Sequence, residues 1–283
     1  MSVTTPDRSR LGLFLGVLVA AVLALVGAGR LTGVGVLALL PAYMFSPLVA
    51  GTVTCLVHDV SVGKVGLRVG RPRWLALAGV ASLPMVGLTL LFAVLVPGIG
   101  FDPAADPIPG LALPSGVVGV VATLALVLAL GLTVNAAFAF GEEFGWRGYL
   151  LWELAPLDFW RASAATGALW GVWHAPAVAA GYNYPSFPLV GIGMMTVACL
   201  ALSPLYTYLV VRAESVIAAA LLHGVFNGSA GLVLAYTATD STTLAELVAS
   251  PVGAAGIVAF GLAAVAIAAT GPPALDRSVL GAE

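Results

Sequence analysis

The sequence predicts an all-α, polytopic integral membrane protein with about eight transmembrane helices. Three observations predict it. The chain is 60% hydrophobic and only 8% charged over 283 residues, whereas soluble domains are about half apolar and about a quarter charged. Mean hydropathy is +1.07, and apolar runs recur at the roughly 20 residues that a helix needs to cross a bilayer. Lys and Arg cluster on alternate connections, which is how cytoplasmic loops are marked.

The expected spans are 11–29, 31–57, 74–97, 116–151, 162–180, 188–211, 214–236 and 251–270. The first follows Arg8 and Arg10 and resembles a secretory signal, but Ala28-Gly29-Arg30 is a poor cleavage site, so an uncleaved helix is expected. The second exceeds one crossing and should tilt or kink at Pro41 or Pro47. The third leads into 98–115, an outer loop with prolines at 103, 107, 109 and 114. The fourth is also overlong, and Pro156 acts as a breaker in the segment 152–161 that follows it. Short connections separate the remaining spans. Three segments follow: 1–115 with the first three helices and the outer loop, 116–236 with helices four to seven, and 237–283 with the last helix and a tail. The first three spans carry little that could do chemistry, so the functional half is placed at 116–236.

Orientation follows from the cations. With the N-terminus in the cytoplasm, Arg8, Arg10, Lys64, Arg68, Arg71, Arg73, Arg161, Arg212 and Arg277 all fall inside, and only Arg30 falls outside. The outer loops carry Asp102, Asp106, Asp240 and Glu246. A cell-membrane protein with both termini cytoplasmic is therefore expected. Stretch 58–73 reads as the ordinary basic flank of two spans, or as a segment lying on anionic lipid. Membrane lipid is one expected partner, and no nucleic-acid partner is expected. Cys55 and Cys199 both lie in apolar spans, where free thiols pack as small hydrophobes.

Three polar patches interrupt the apolar helices: Gly-Glu-Glu-Phe-Gly-Trp-Arg at 141–147, Trp-Gly-Val-Trp-His at 170–174 and His-Gly-Val-Phe-Asn at 223–227. Ionisable groups within spanning helices are costly and tend to face a site. Glu142 and Glu143 are neighbours and point about 100° apart on a helix. Glu143 and Arg147 are four apart, in the favoured order for pairing. That leaves Glu142 free to act as a general base, unless all three form a structural ion-pair cluster. His174 alone is either a hydrogen-bonding group or a catalyst. His223 and Asn227 share a face, suited to holding an oxyanion or to bonding between helices. Counted from the cytoplasmic helix ends, Glu142 and His223 lie about 15 Å deep, and His174 and Asn227 about 20 Å. The three patches thus converge at one level, in the cytoplasmic half of the membrane.

These motifs, in this order on successive helices, resemble the CPBP family of intramembrane endopeptidases, also called the ABI family. It includes the type II CAAX prenyl proteases and bacteriocin-processing or immunity proteins. The resemblance rests on about 140–230, with Glu142-Glu143-x-x-x-Arg147, an aromatic residue four before His174, and His223-x-x-x-Asn227. It implies about eight helices around a cytoplasm-facing cavity and hydrolysis of peptide bonds near that face. It further implies that Glu142 and His174 activate water, with His223 and Asn227 as the oxyanion hole. The family usually has Phe where this chain has Trp170, which keeps an aromatic wall and alters pocket width. The implied partner is a peptide or protein substrate, lipidated or not.

No cofactor is expected. A zinc site from Glu142, His174 and His223 is the alternative, but the His-Glu-x-x-His signature is absent. Two other function classes compete with the protease. A non-proteolytic immunity or scaffold protein of the same fold would have no need of Glu142. A small-solute transporter should carry polar groups into the outer half of the spans, and that half is nearly uncharged.

Overall fold

In a bilayer the backbone must satisfy its own hydrogen bonds, so each apolar run closes into a helix. The computed structural model describes residues 5–108, 110–114 and 116–280 and is 74% helical with almost no strand. In chain order the helices are α1 (Arg8–Thr32), α2 (Val36–Val57), α3 (Pro72–Val94), α4 (Gly116–Leu157), α5 (Phe159–Trp173), α6 (Ala175–Ala179), α7 (Pro188–Ala213), α8 (Ile217–Tyr236), α9 (Leu244–Thr270) and the short α10 (Arg277–Leu280). Seven helices among the described residues are long and apolar enough to cross a membrane, and the protein is multi-pass.

The expected fifth span, 162–180, is not one helix of that length. It is α5, a break at His174, and the five-residue α6. Pro176 enters α6 in its first turn, where a missing N–H costs nothing, but it cannot continue the ladder of α5. The break leaves His174 at the end of α5 rather than buried within a span. The kink expected in α2 lies at Met44–Phe45, between Pro41 and Pro47, each in the first turn of its own helical piece. α4 runs past the expected end at 151 to Leu157 and spans 42 residues, about 63 Å at 1.5 Å per residue. It widens into π-helical turns at Gly131–Asn135 and again at Phe144–Leu150, directly after the paired glutamates. Such bulges often mark functional sites. α9 is interrupted by turn residues at 250–253.

Small residues allow the helices to approach closely, as membrane packing favours. A Cβ at Gly171 of α5 would collide with the Thr196 backbone of α7, and one at Gly224 of α8 with the α4 backbone at Gly131 and Ala136. The connections 98–115 and 237–250 are joined by a two-residue antiparallel ladder that the sequence did not announce. Its strands are β1 (Gly100–Phe101) and β2 (Thr237–Ala238), with Gly100 opposite Ala238.

At the opposite end the basic connection 58–71 docks under the bundle. The Val216 N–H donates to the Gly66 carbonyl at 2.9 Å, and the Arg71 N–H donates to the Ala213 carbonyl at 2.8 Å. Both termini are held at this end by Glu153, which is fully buried. It accepts from the Asp7 backbone N–H at 2.6 Å and pairs with Arg277 of the tail, while Arg10 lies 3.7 Å away.

Candidate active site

Adjacent glutamates on α4 point to different neighbours, and the structure divides them. Glu143 and Arg147 are both fully buried and pair at 3.1 Å. Glu143 does more than that, because its Oε1 also accepts from Nδ1 of His223 on α8 at 2.8 Å. One carboxylate thus joins the Arg147 guanidinium to the ring of a histidine 80 residues away. The guanidinium lies over the rings of Trp170, at 4.2 Å, and Tyr206, at 4.5 Å. Its Nη2 reaches Ser203 Oγ at 3.5 Å, and that hydroxyl donates to the Ser163 carbonyl.

Glu142 faces the other way. It is 3% exposed and lines a cavity of about 360 Å³ with Trp170, His174, His223 and Asn227. Its Oε2 accepts from the Trp170 indole N–H at 2.8 Å. The Trp in place of the family's usual Phe is therefore more than a wall: it adds a donor to the carboxylate, which Phe cannot supply.

The break after α5 brings the His174 ring back onto its own helix, with Nδ1 2.8 Å from the Trp170 carbonyl. A carbonyl only accepts, so Nδ1 carries the proton and Nε2 keeps a lone pair in the neutral ring. The Tyr182 ring lies parallel to it at 6.4 Å. His223 is held at Nδ1 by Glu143, which leaves Nε2 as its remaining polar atom. Asn227, one turn along α8, is exposed and lines the same cavity. Its side chain makes no hydrogen bond to a described residue.

The walls are not confined to 116–236. The break in α2 sends Leu40, Tyr43 and Met44 into the cavity, and Pro251 and Val252 come from the interruption of α9. Tyr43 is locked in place: its hydroxyl donates to the Trp173 carbonyl at 2.6 Å, and the Trp173 indole donates to Ser46 Oγ at 3.1 Å. An aromatic residue between two helix-breaking prolines was the available signal for it. Glu153 was missed as well, although an acid in the run Leu-Leu-Trp-Glu-Leu of 150–154 could have revealed it.

The expected opening lies toward the Lys/Arg-rich face. On that side of the site Trp146, Arg147, Tyr149, Leu150 and Leu151 are all fully buried. The cavity extends the other way, past Ala177 and Ala230, to Tyr182, Asn183 and Leu234. Glu142 and His223 lie nearer the basic ends of α4 and α8, 15 residues from Leu157 and 6 from Ile217. His174 ends a helix that starts 15 residues earlier, about 22 Å away, and the packed turns of α4 fill that interval.

Among the described residues no three His, Cys, Asp or Glu side chains are grouped to hold a metal ion. Glu142, His174 and His223 are not grouped in that way, and Nε2 of each histidine stays open while Nδ1 bonds to an oxygen.

No curated protein matches the chain. Residues 120–229 match the family model described as type II CAAX prenyl endopeptidase Rce1-like. That segment, which is similar to the Rce1-like proteins of the CPBP family, holds Glu142, Glu143, Arg147, His174, His223 and Asn227.

Proposed function

We propose that the protein is an intramembrane endopeptidase in which Glu142 and His174 activate a water and His223 with Asn227 hold the oxyanion. The observation that carries this reading is the division of the two acids. Glu143 is consumed by Arg147 and His223, whereas Glu142 faces the cavity with one oxygen held by Trp170.

The second oxygen of Glu142 takes a proton from water as the water oxygen attacks the scissile carbonyl carbon. Nε2 of His174 has the lone pair to orient that water. The carbonyl oxygen becomes an oxyanion, received by the Asn227 amide and by Nε2 of His223. Since Nδ1 of His223 donates to Glu143, a donating Nε2 requires the doubly protonated ring, and the Glu143 carboxylate is its counter-charge. The C–N bond then breaks, and the proton held by Glu142 passes to the leaving nitrogen, giving a carboxylic acid and an amine. No step calls for a metal.

The test is purified protein in lipid, assayed against lipidated and unlipidated peptides, wild type beside Glu142→Gln. The variant should fold like wild type, because glutamine still accepts from Trp170, and should show no hydrolysis. Equal turnover by the two would refute the assignment.

A further inference from the structure

Where the basic connection enters α3, the arginines are of two kinds. Glu214, just past the end of α7, pairs with Arg68 at 3.4 Å and with Arg71. Arg73 and Arg212 form no ion pair with a described acid. Both guanidiniums instead lie 5.7 Å from the centroid of one indole, that of Trp74, and Arg212 also lies 5.2 Å from the Tyr208 ring. The two rings meet edge to face at 5.9 Å. Trp74 stands in the first turn of α3 and Arg212 in the last turn of α7, so two spanning helices assemble the group at the cation-rich end.

An aromatic face offers a guanidinium no acceptor oxygen, and two like charges beside one ring repel. Nε of Arg212 and Nε1 of Trp74 are enclosed with no acceptor from a described residue, whereas buried donors are as a rule hydrogen-bonded. The cluster is therefore short of both negative charge and acceptor oxygens. Trp and Tyr favour the level at which a spanning helix meets lipid headgroups. Below that level α3 continues from the exposed Arg73 into Leu77, Val80, Pro84 and Leu91. Their spacing of three, four and seven residues keeps them on one face, and all four are exposed. Exposed apolar surface on a spanning helix lies against acyl chains.

We propose that Arg73, Arg212, Trp74 and Tyr208 form a binding site for an anionic phospholipid. Its phosphate answers the two unpaired arginines, and its acyl chain runs down the exposed stripe of α3. A free phosphate would satisfy the cations alone, whereas an amphiphile also uses the apolar surface that continues from them. Basic pockets between spanning helices hold headgroups by the same attraction. None of the four residues lines the cavity, and the site does not depend on the protease reading.

The test follows unfolding of the full chain in a nonionic detergent, titrated with phosphatidylglycerol, phosphatidylcholine or inorganic phosphate. A ligand of the folded state raises the midpoint, and only phosphatidylglycerol should do so, saturably. Arg73→Gln/Arg212→Gln should bind it about 30-fold more weakly, at about 1 kcal/mol for each cation near an anionic headgroup. Arg8→Gln/Lys64→Gln removes equal charge from exposed positions at the same end and should keep the wild-type shift. If the first double variant does not fold, Arg73→Gln alone, at an exposed position, should still weaken binding. An undiminished shift in the folded Arg73 variants overturns the site, and equal weakening in Arg8→Gln/Lys64→Gln reduces it to diffuse attraction. An equal shift with phosphatidylcholine removes the need for negative charge, and one with inorganic phosphate makes the ligand a free anion. Either result overturns the phospholipid.

Discussion

Replacing Glu143 by Gln keeps the shape of the side chain and removes one charge from a fully buried pair. Two unit charges about 4 Å apart attract by about 4 kcal/mol at an effective dielectric constant of 20. Removing one partner of a buried pair costs about 3–5 kcal/mol, because the other charge is stranded. Arg147 keeps the faces of Trp170 and Tyr206, at 4.2 and 4.5 Å, and desolvated cation–π contacts are worth up to about 2 kcal/mol. The glutamine carbonyl can also accept from Arg147. The expected loss is therefore about 3 kcal/mol, at the lower edge of that range. Equilibrium unfolding in mixed micelles, followed by tryptophan fluorescence, reads it. The double variant Glu143→Gln/Arg147→Met removes both charges and should recover most of the stability. Its folded fraction should nonetheless stay slow in hydrolysis, because His223 has lost its counter-charge. A single variant as stable as wild type, or a double variant no better than the single, refutes the reasoning.

Other outcomes follow from the same geometry. Asn227→Ala should unfold at the wild-type midpoint, since the side chain is exposed and bonds to no described residue, yet turnover should fall by about 100- to 1000-fold, as for removal of one oxyanion donor. Extensively chelated protein should keep its rate, because Glu142, His174 and His223 are not grouped as ligands. About one equivalent of zinc per chain, with activity lost on chelation and restored by zinc, would reverse that assignment. Arg277→Ala breaks the pair with Glu153 and the stacking of the guanidinium 4.6 Å over Trp152. The connection 271–276 should then be cut faster by added protease, while hydrolysis of peptides is unchanged. Unaltered cleavage would show that the tail is held otherwise.

Glu142, Glu143, Arg147, His174, His223 and Asn227 were visible in the sequence, because polar groups inside an apolar helix stand out against a costly background. What they bond to was legible only where the partner is local. Glu143 and Arg147 are one helical turn apart, and spacing alone brings them together. The bond from Trp170 to Glu142 crosses from α5 to α4, and the bond from His223 to Glu143 crosses from α8 to α4. No periodicity within one helix specifies either. Tyr43 escaped notice because its helix reads as continuous until the break at Met44 turns it inward.

The sequence by itself determined that this chain is a bundle of membrane helices, since a bilayer accepts no other use of such apolar runs. It also determined which end carries the cations, and which six residues form the polar centre. The tertiary structure decided how that centre is divided. Packing of α4 against α5 and α8 turns Glu143 toward Arg147 and His223 and leaves Glu142 facing the cavity. It also decided where the cavity opens. That depends on which side of the polar level the large side chains fill, and Trp146, Tyr149, Leu150 and Leu151 are buried on the basic side. Depth along a helix can be counted from a sequence at 1.5 Å per residue, but close packing between helices cannot.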